Sequence, residues 1–180
     1  VSSELAPEIA CIPSAEPAGS RLVPMLMLVT LPVVLLDQIS KHLVSSSFQL
    51  YQTQPLVPGW LDLTYTLNPG AAFSLFSTMP EGFRHLFFVA LSIVAMVVLV
   101  VLLARRTTPM FSAIAFALIL GGTIGNLIDR LSRGRVVDFI YFHHKSFNYP
   151  VFNIADSAIT TGVAIILLFS LFAGSAANQN

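Results

Sequence analysis

The charged residues of this chain are missing in blocks, and the length of those blocks constrains the fold more than any other feature. Fifteen residues, LVPMLMLVTLPVVLL, separate Arg21 from Asp37, and apolar character resumes beyond Asp37 as far as Val44. Leu86 to Ala104, Met110 to Ile128 and Ser157 to Gly174 carry no charge over 19, 19 and 18 residues. Each block approaches the roughly 20 residues that cross about 30 Å of hydrocarbon at about 1.5 Å per residue. Four buried helices of a soluble protein would need a charged outer layer. Only 10% of the 180 residues are Asp, Glu, Lys or Arg, against about 25% in ordinary soluble domains. The expected fold is therefore an all-α membrane protein with four transmembrane helices.

Nine basic residues balance nine acidic ones, so no charge field points to nucleic acid. The single cysteine, Cys11, has no internal disulfide partner and cannot build a thiolate cluster. Residues 1–20, with three prolines, three glutamates and no apolar period, read as a flexible tail, and residues 175–180 read as a polar exit. Residues 21–174 then form one membrane domain.

Residues 45–82 are too aromatic for a plain linker. WLDLTYTL alternates with the period of a strand, and NPG supplies a turn, so a small β-rich extramembrane cradle is expected here. Arg105 to Pro109 is so short that the second and third spans must form an antiparallel hairpin. The connection near 132–156 then lies on the same side as 45–82, and both termini share the side of Arg105 and Arg106. A simple count of basic residues, six near the long connections against three near the termini, would place the long connections inside.

Ionisable residues gather near the long-connection face. Asp37 and Lys41 stand four apart on one helical face and are able to pair. Asp129 and Arg130 follow GGTIGN, whose small residues permit close helix packing, and whose Asn126 suits an interhelical hydrogen bond. Asp138 in RVVDFI and Asp156 in FNIADSAI are the strongest catalytic pair, because two carboxylates that meet have their proton affinities driven apart, giving an acid and a base for hydrolysis. Asn153 and Asp156 also have the spacing of a helix cap, and Asp138 has Arg133 and Arg135 close by in sequence, so residues alone leave catalysis and plain capping or pairing equally open. His143 and His144 lack the spacing of a metal site, Ser157 lacks an identifiable base, and no phosphate-loop pattern is present. A proton-coupled transporter or a noncatalytic scaffold would use the same ionisable residues differently.

Several motifs occur in order around the four spans: LLDQISK at 35–41, YTLNPGAAFS at 65–74, GGTIGNLIDR at 121–130, RVVDFI at 135–140 and FNIADSAIT at 152–160. Together they resemble bacterial lipoprotein signal peptidase, also called signal peptidase II, from about Leu28 to Leu171. The resemblance implies an aspartic endopeptidase of the bacterial inner membrane with cytoplasmic termini and an active site near the extracytoplasmic face. It implies cleavage of diacylglyceryl-modified prolipoproteins, among membrane lipids, just before the lipid-bearing cysteine. Asp138 and Asp156 would be the catalytic pair. Asp37, Lys41, Asn68, Gly70, Asn126, Asp129, Arg130 and Asn153 would bind substrate or support the site. No metal or other cofactor is implied, and one chain supplies both carboxylates, so a monomer suffices. The cradle at 45–82 would double as a movable cover over the substrate.

Overall fold

The computed structural model describes residues 21–70 and 79–177, and side chains as far as Leu171. The tails at 1–20 and 178–180 and the stretch 71–78 of the expected cover lie outside the described residues.

Among the described residues, four helices are long and apolar enough to cross a membrane: α1 (Leu22–Ser47), α2 (Glu81–Ala104), α3 (Met110–Arg133) and α4 (Ile154–Ala177), the last described as a span to Leu171. Leu28, Leu36, Leu86, Val94, Val97 and Leu168 are each more than half exposed on their outer faces. A chain that kept such surface in water would forfeit the main driving force of folding, so lipid is its solvent. The fold is an all-α membrane protein carrying a small sheet.

α3 is the central helix. The most apolar window of α3 is 56% buried against 11% for α2, because α3 packs on all three of its neighbours. Its small residues permit this: a Cβ on Gly121 would lie 2.9 Å from the Val33 side chain of α1, and one on Gly122 would strike the Ala155 carbonyl of α4. Gly134 ends the helix in the left-handed region at φ 74°, where its amide donates to Arg130 O over 3.0 Å.

One local feature of α1 was not anticipated. Residues Leu26–Thr30 are wound as a π-helix, with the Leu31 amide donating to Leu26 O. Pro32 has no amide hydrogen for Leu28 O and its ring crowds that carbonyl, so the turn before it widens.

Between α1 and α2 run β1 (Thr53–Val57) and β2 (Leu61–Asn68); between α3 and α4 run β3 (Val136–His144) and β4 (Phe147–Asn148). They form one antiparallel sheet in the order β1-β2-β3-β4. The hairpin β1–β2 matches the period-two alternation, and the Thr53 and Thr64 hydroxyls bond across it. The pairing of β2 with β3 joins both long connections into one body, which fixes them on the same side of the spans.

Two apolar clusters bracket what lies between them. Met25, Leu99, Leu103, Ala113, Ala117 and Leu120 pack toward the short α2–α3 connection. Val44, Val137 and Phe139 pack under the sheet with Phe48, Leu63 and Tyr65.

Candidate active site

A layer of buried polar side chains separates the two clusters: Asp37, Lys41, Asn126, Asp129, Asp138 and Asn153 are all at least 94% buried. Buried polar groups on this scale require partners, and nearly all are found within the layer.

Lys41 stands at one end of it. Its Nζ lies 2.8 Å from Asp37 Oδ2, 2.9 Å from Asp129 Oδ2 and 3.0 Å from Asn126 Oδ1, so its three hydrogens meet three acceptors from α1 and α3. Asp37 Oδ1 also accepts the Ala155 amide at 2.9 Å, which satisfies one free N–H of the first turn of α4. Asp129 Oδ2 accepts the Val137 amide at 3.1 Å, tying the end of α3 to β3, while Asp129 Oδ1 is buried with no hydrogen-bond partner among the described residues. Gly125 leaves room for this arrangement, since a Cβ there would collide with the Asp37 carboxylate.

The other end holds Asp138 and Asp156. β3 delivers Asp138, and the chain reverses at Lys145 and Ser146 before Phe152 pairs back onto Phe139 and Ile140. That return places Asn153 beside Asp138: Asn153 Nδ2 donates to Asp138 Oδ1 over 2.6 Å. Asn153 also opens α4, because its Oδ1 accepts the Asp156 amide at 2.9 Å while Asp156 Oδ2 accepts the Asn153 amide at 3.3 Å. Asp156 Oδ1 remains for another partner and accepts from Asn126 Nδ2 at 2.8 Å. Capping and membership in the polar layer are thus compatible for Asp156, one oxygen serving each. Asp138 does not pair with Arg135, which forms an exposed pair with Glu81 at 2.7 Å.

Asn68 reaches Asp138 from β2. Thr66 lies opposite Asp138 in the ladder and Asn68 two residues on, hence on the same face, and Asn68 Nδ2 donates to Asp138 Oδ2 over 2.9 Å. The Gly70 amide donates to Asn68 Oδ1 over 2.8 Å, and Gly70 sits at φ 90° with the Phe88 ring so close that a Cβ would come within 2.6 Å of it. Arg130 lies 5.3 Å above that ring and donates to Asn126 O over 3.3 Å.

Asp138 holds its proton unusually tightly. Burial, and next the charge of Asp156, raise its carboxyl from 3.8 to about 7, although Asn68, Asn153 and Lys41 favour the charged form. A carboxylic acid that keeps its proton near neutrality, beside a second carboxylate, is equipped for acid and base work.

All ten residues singled out in the sequence meet in or beside this layer. Three partners were not anticipated: Gln38, which donates to Asp37 Oδ2 and Gly125 O over 3.1 Å each; Phe88, against Gly70 and Arg130; and Arg84, which donates to Pro69 O over 2.8 Å. Gln38 lies inside LLDQISK, but neither Phe88 nor Arg84 belongs to a motif. His143 pairs with Asp62 at 3.0 Å and His144 stacks on Trp60 at 3.7 Å, both at the outer end of the sheet. Ser157 Oγ donates to Asn153 O over 2.9 Å.

Among the described residues, two cavities open on Asp156. One, of about 370 Å³, lies between the sheet and α4 and is lined by Phe142, Tyr149, Phe152, Ser157, Thr160 and Thr161. The other, of about 350 Å³, is a groove between α2, α3 and α4 past Phe88, Leu91, Ile119, Thr123, Arg130 and Ile159. From Arg130 to Ile119 it descends roughly 16 Å along α3 into the depth of the spans.

Helices bathed in lipid, a sheet over one end and two carboxylates where the two meet define a multi-pass membrane protein with the groups for acid–base chemistry. Residues 29–172 match the family described as Signal peptidase (SPase) II. The chain is 41% identical over 142 residues to the lipoprotein signal peptidase of Geobacter metallireducens, covering 78% of this chain and 86% of that one. It is 42% identical over 158 residues to the lipoprotein signal peptidase of Azoarcus sp. (strain BH72), covering 88% of each. A solved structure described as a bacterial membrane enzyme determined by the in meso method at 2.3 Å resolution superposes with a TM-score of 0.78 at 29% identity, covering 88% of this chain and 94% of that chain. The chain belongs to the signal peptidase II family, and it is a membrane-embedded peptidase.

Proposed function

We infer that this peptidase removes the signal peptide from diacylglyceryl-modified prolipoproteins, cleaving before the lipidated cysteine, with Asp138 and Asp156 as its catalytic pair. The observation that carries this reading is the placement of the two carboxylates. They are bridged by Asn153 where the sheet meets the start of α4, and Asp156 faces both cavities. The groove among the helices suits an apolar signal peptide, and the cavity beside the sheet suits the segment beyond the scissile bond.

In this reading Asp138, whose burial raises its proton affinity, enters the reaction protonated, and Asp156 enters as the carboxylate. Asp156 takes a proton from water while the water oxygen bonds to the scissile carbonyl carbon, and Asp138 gives its proton to the carbonyl oxygen. As the C–N bond of the resulting gem-diol breaks, Asp156 passes its proton to the leaving amine. One diol hydroxyl returns a proton to Asp138, so both groups regain their starting states. The amides of Asn68, Asn126 and Asn153 hold the carboxylates in place throughout.

Arg130, Asn68 and Gly70 face or border the substrate space, whereas Asp37, Lys41 and Asp129 support it from behind. The termini lie on the cytoplasmic side with Arg105 and Arg106. Two of the six basic residues that a simple charge count sets against this are paired with carboxylates of the protein, Lys41 with Asp37 and Asp129, and Arg135 with Glu81. A monomer is the working unit, with the sheet as cradle and cover.

The test compares wild type with Asp138→Asn and Asp156→Asn, each verified as folded, on a diacylglyceryl-modified precursor and its unlipidated counterpart. Wild type cleaves the lipidated precursor, and each variant loses on the order of a thousandfold or more in kcat. Substantial turnover by either folded variant would overturn the dyad, and a wild type inert on a competent precursor would overturn the substrate.

A further inference from the structure

The catalytic carboxylates are held by three asparagine amides, and each amide has its carbonyl end fixed by a separate donor. Asn68 Oδ1 accepts from the Gly70 amide, and Asn153 Oδ1 accepts from the Asp156 amide. Each thereby turns its NH₂ group toward Asp138 or its neighbours. Asn126 differs, because among the described residues no backbone N–H performs this task for it. Its Oδ1 faces the Lys41 ammonium at 3.0 Å and the Asn153 NH₂ at 3.2 Å, and its Nδ2 faces Asp156 Oδ1 at 2.8 Å.

A carboxamide has two ends of nearly equal size, so hydrogen bonding alone decides which way it points. The Asn153 NH₂ is a weak anchor, because its two hydrogens are divided among Asn126 Oδ1, Val137 O and Asp138 Oδ1, with the shortest contact to Asp138. Lys41 is a donor with no acceptor capacity. A reversed Asn126 would set its NH₂ against that ammonium and its carbonyl against the carboxylate of Asp156. Lys41 is also unable to swing away, since Asp37 and Asp129 hold its other two hydrogens and the side chain is 1% exposed.

We propose that Lys41 is a positioning residue for proteolysis: its ammonium sets the direction of the Asn126 amide, so that the amide donates to Asp156 and holds that carboxylate toward the attacking water. Lys41 makes no hydrogen bond to either carboxylate of the catalytic pair; beyond the longer-range effect of its charge, it acts on Asp156 through Asn126. The proposal rests on the peptidase reading above, and it assigns to the buried ion pair a task in the reaction beyond holding helices together. The charged groups around this point are Asp37 from α1, Asp129 and Arg130 from α3, Asp138 from β3 and Asp156 from α4.

The test separates hydrogen bonding from charge. Lys41→Met/Asp129→Asn and Lys41→Gln/Asp129→Asn remove the same two charges, but only the glutamine retains an NH₂ donor for Asn126. Cleavage of a diacylglyceryl-modified precursor by folded protein in detergent is the readout, with wild type as the control. The methionine variant loses on the order of tenfold to a hundredfold in kcat at little change in KM, and the glutamine variant recovers most of that loss. Asn126→Leu alone incurs a similar loss, and adding it to the methionine pair costs nothing further, because Lys41 acts through Asn126.

Equal kcat in the methionine and glutamine variants, or losses that multiply when combined with Asn126→Leu, would overturn the proposal. If neither double variant folds, Asn126→Leu decides in the otherwise native chain: wild-type kcat would overturn the proposal, and a loss in kcat without a change in KM sustains it. A wild type that leaves the precursor intact would instead sink the peptidase reading itself.

Discussion

Asp37 and Asp129 share an ammonium, whereas Asp138 and Asp156, on the other side of Asn126, are held by amides. Both pairs are buried carboxylates in the same polar layer, supplied by neighbouring elements. The cation at the first pair offsets part of its charge and joins α1 to α3, while Asp37 reaches the start of α4. At the second pair charge is left without a directly bonded cation, and burial, then repulsion from Asp156, raise the proton affinity of Asp138. Two nearly identical side-chain pairs thus take on different work according to what lies between them: an ion pair gives a fixed joint, and amides permit a titrating centre.

This contrast is open to direct attack. Removing the shared cation should have the largest effect on folding: Lys41→Met leaves two buried carboxylates uncompensated and should cost about 3–5 kcal/mol, read as a lowered melting temperature or loss of folded protein in detergent. Asp138→Asn should act in the opposite direction. A folded-state proton affinity raised from 3.8 to about 7 contributes stability that is complete below pH 3.8 and lost as the pH rises through 7. The variant escapes that loss and should melt higher than wild type at pH 8, by up to a few kcal/mol, while losing activity. Wild-type cleavage should fall along an alkaline limb with a midpoint near pH 7, where Asp138 gives up its proton.

Gly125→Ala should cost about 1–3 kcal/mol by pressing on the Asp37 carboxylate, measured in the same melts. The smallest effect belongs to the exposed Arg135–Glu81 pair, for Arg135→Ala should leave the melting temperature unchanged. If that exposed pair matters as much as Lys41, burial is not what separates joint from ornament.

Local signals in the chain were legible where the physics is local. Uncharged blocks marked the four spans, alternation marked β2, and glycines at 121, 122 and 125 marked the close approach of helices. The Asn153–Asp156 spacing foretold a helix cap, yet spacing has no means of saying that the second oxygen of Asp156 would meet Asn126. The pairing of β2 with β3 was not legible, because Thr66 and Asp138 are joined across two complete spans and no local period records that. Asn126 stood out as a candidate for an interhelical hydrogen bond and, through the GGTIGNLIDR motif, for support of the site. Its position as the link between Lys41 and Asp156 depends on three helices and a strand arriving together.

The reach of one contact carries a consequence for synthesis. The Ala155 amide meets Asp37 across 118 residues of chain, and the cap that orients Asp156 forms at the same junction. A nascent chain with three spans in the bilayer already owns the lysine and its two carboxylate partners, but it lacks Asp156, the second member of the proposed pair. With the proposed pair as the catalytic centre, peptide-bond cleavage begins only when the last helix has docked.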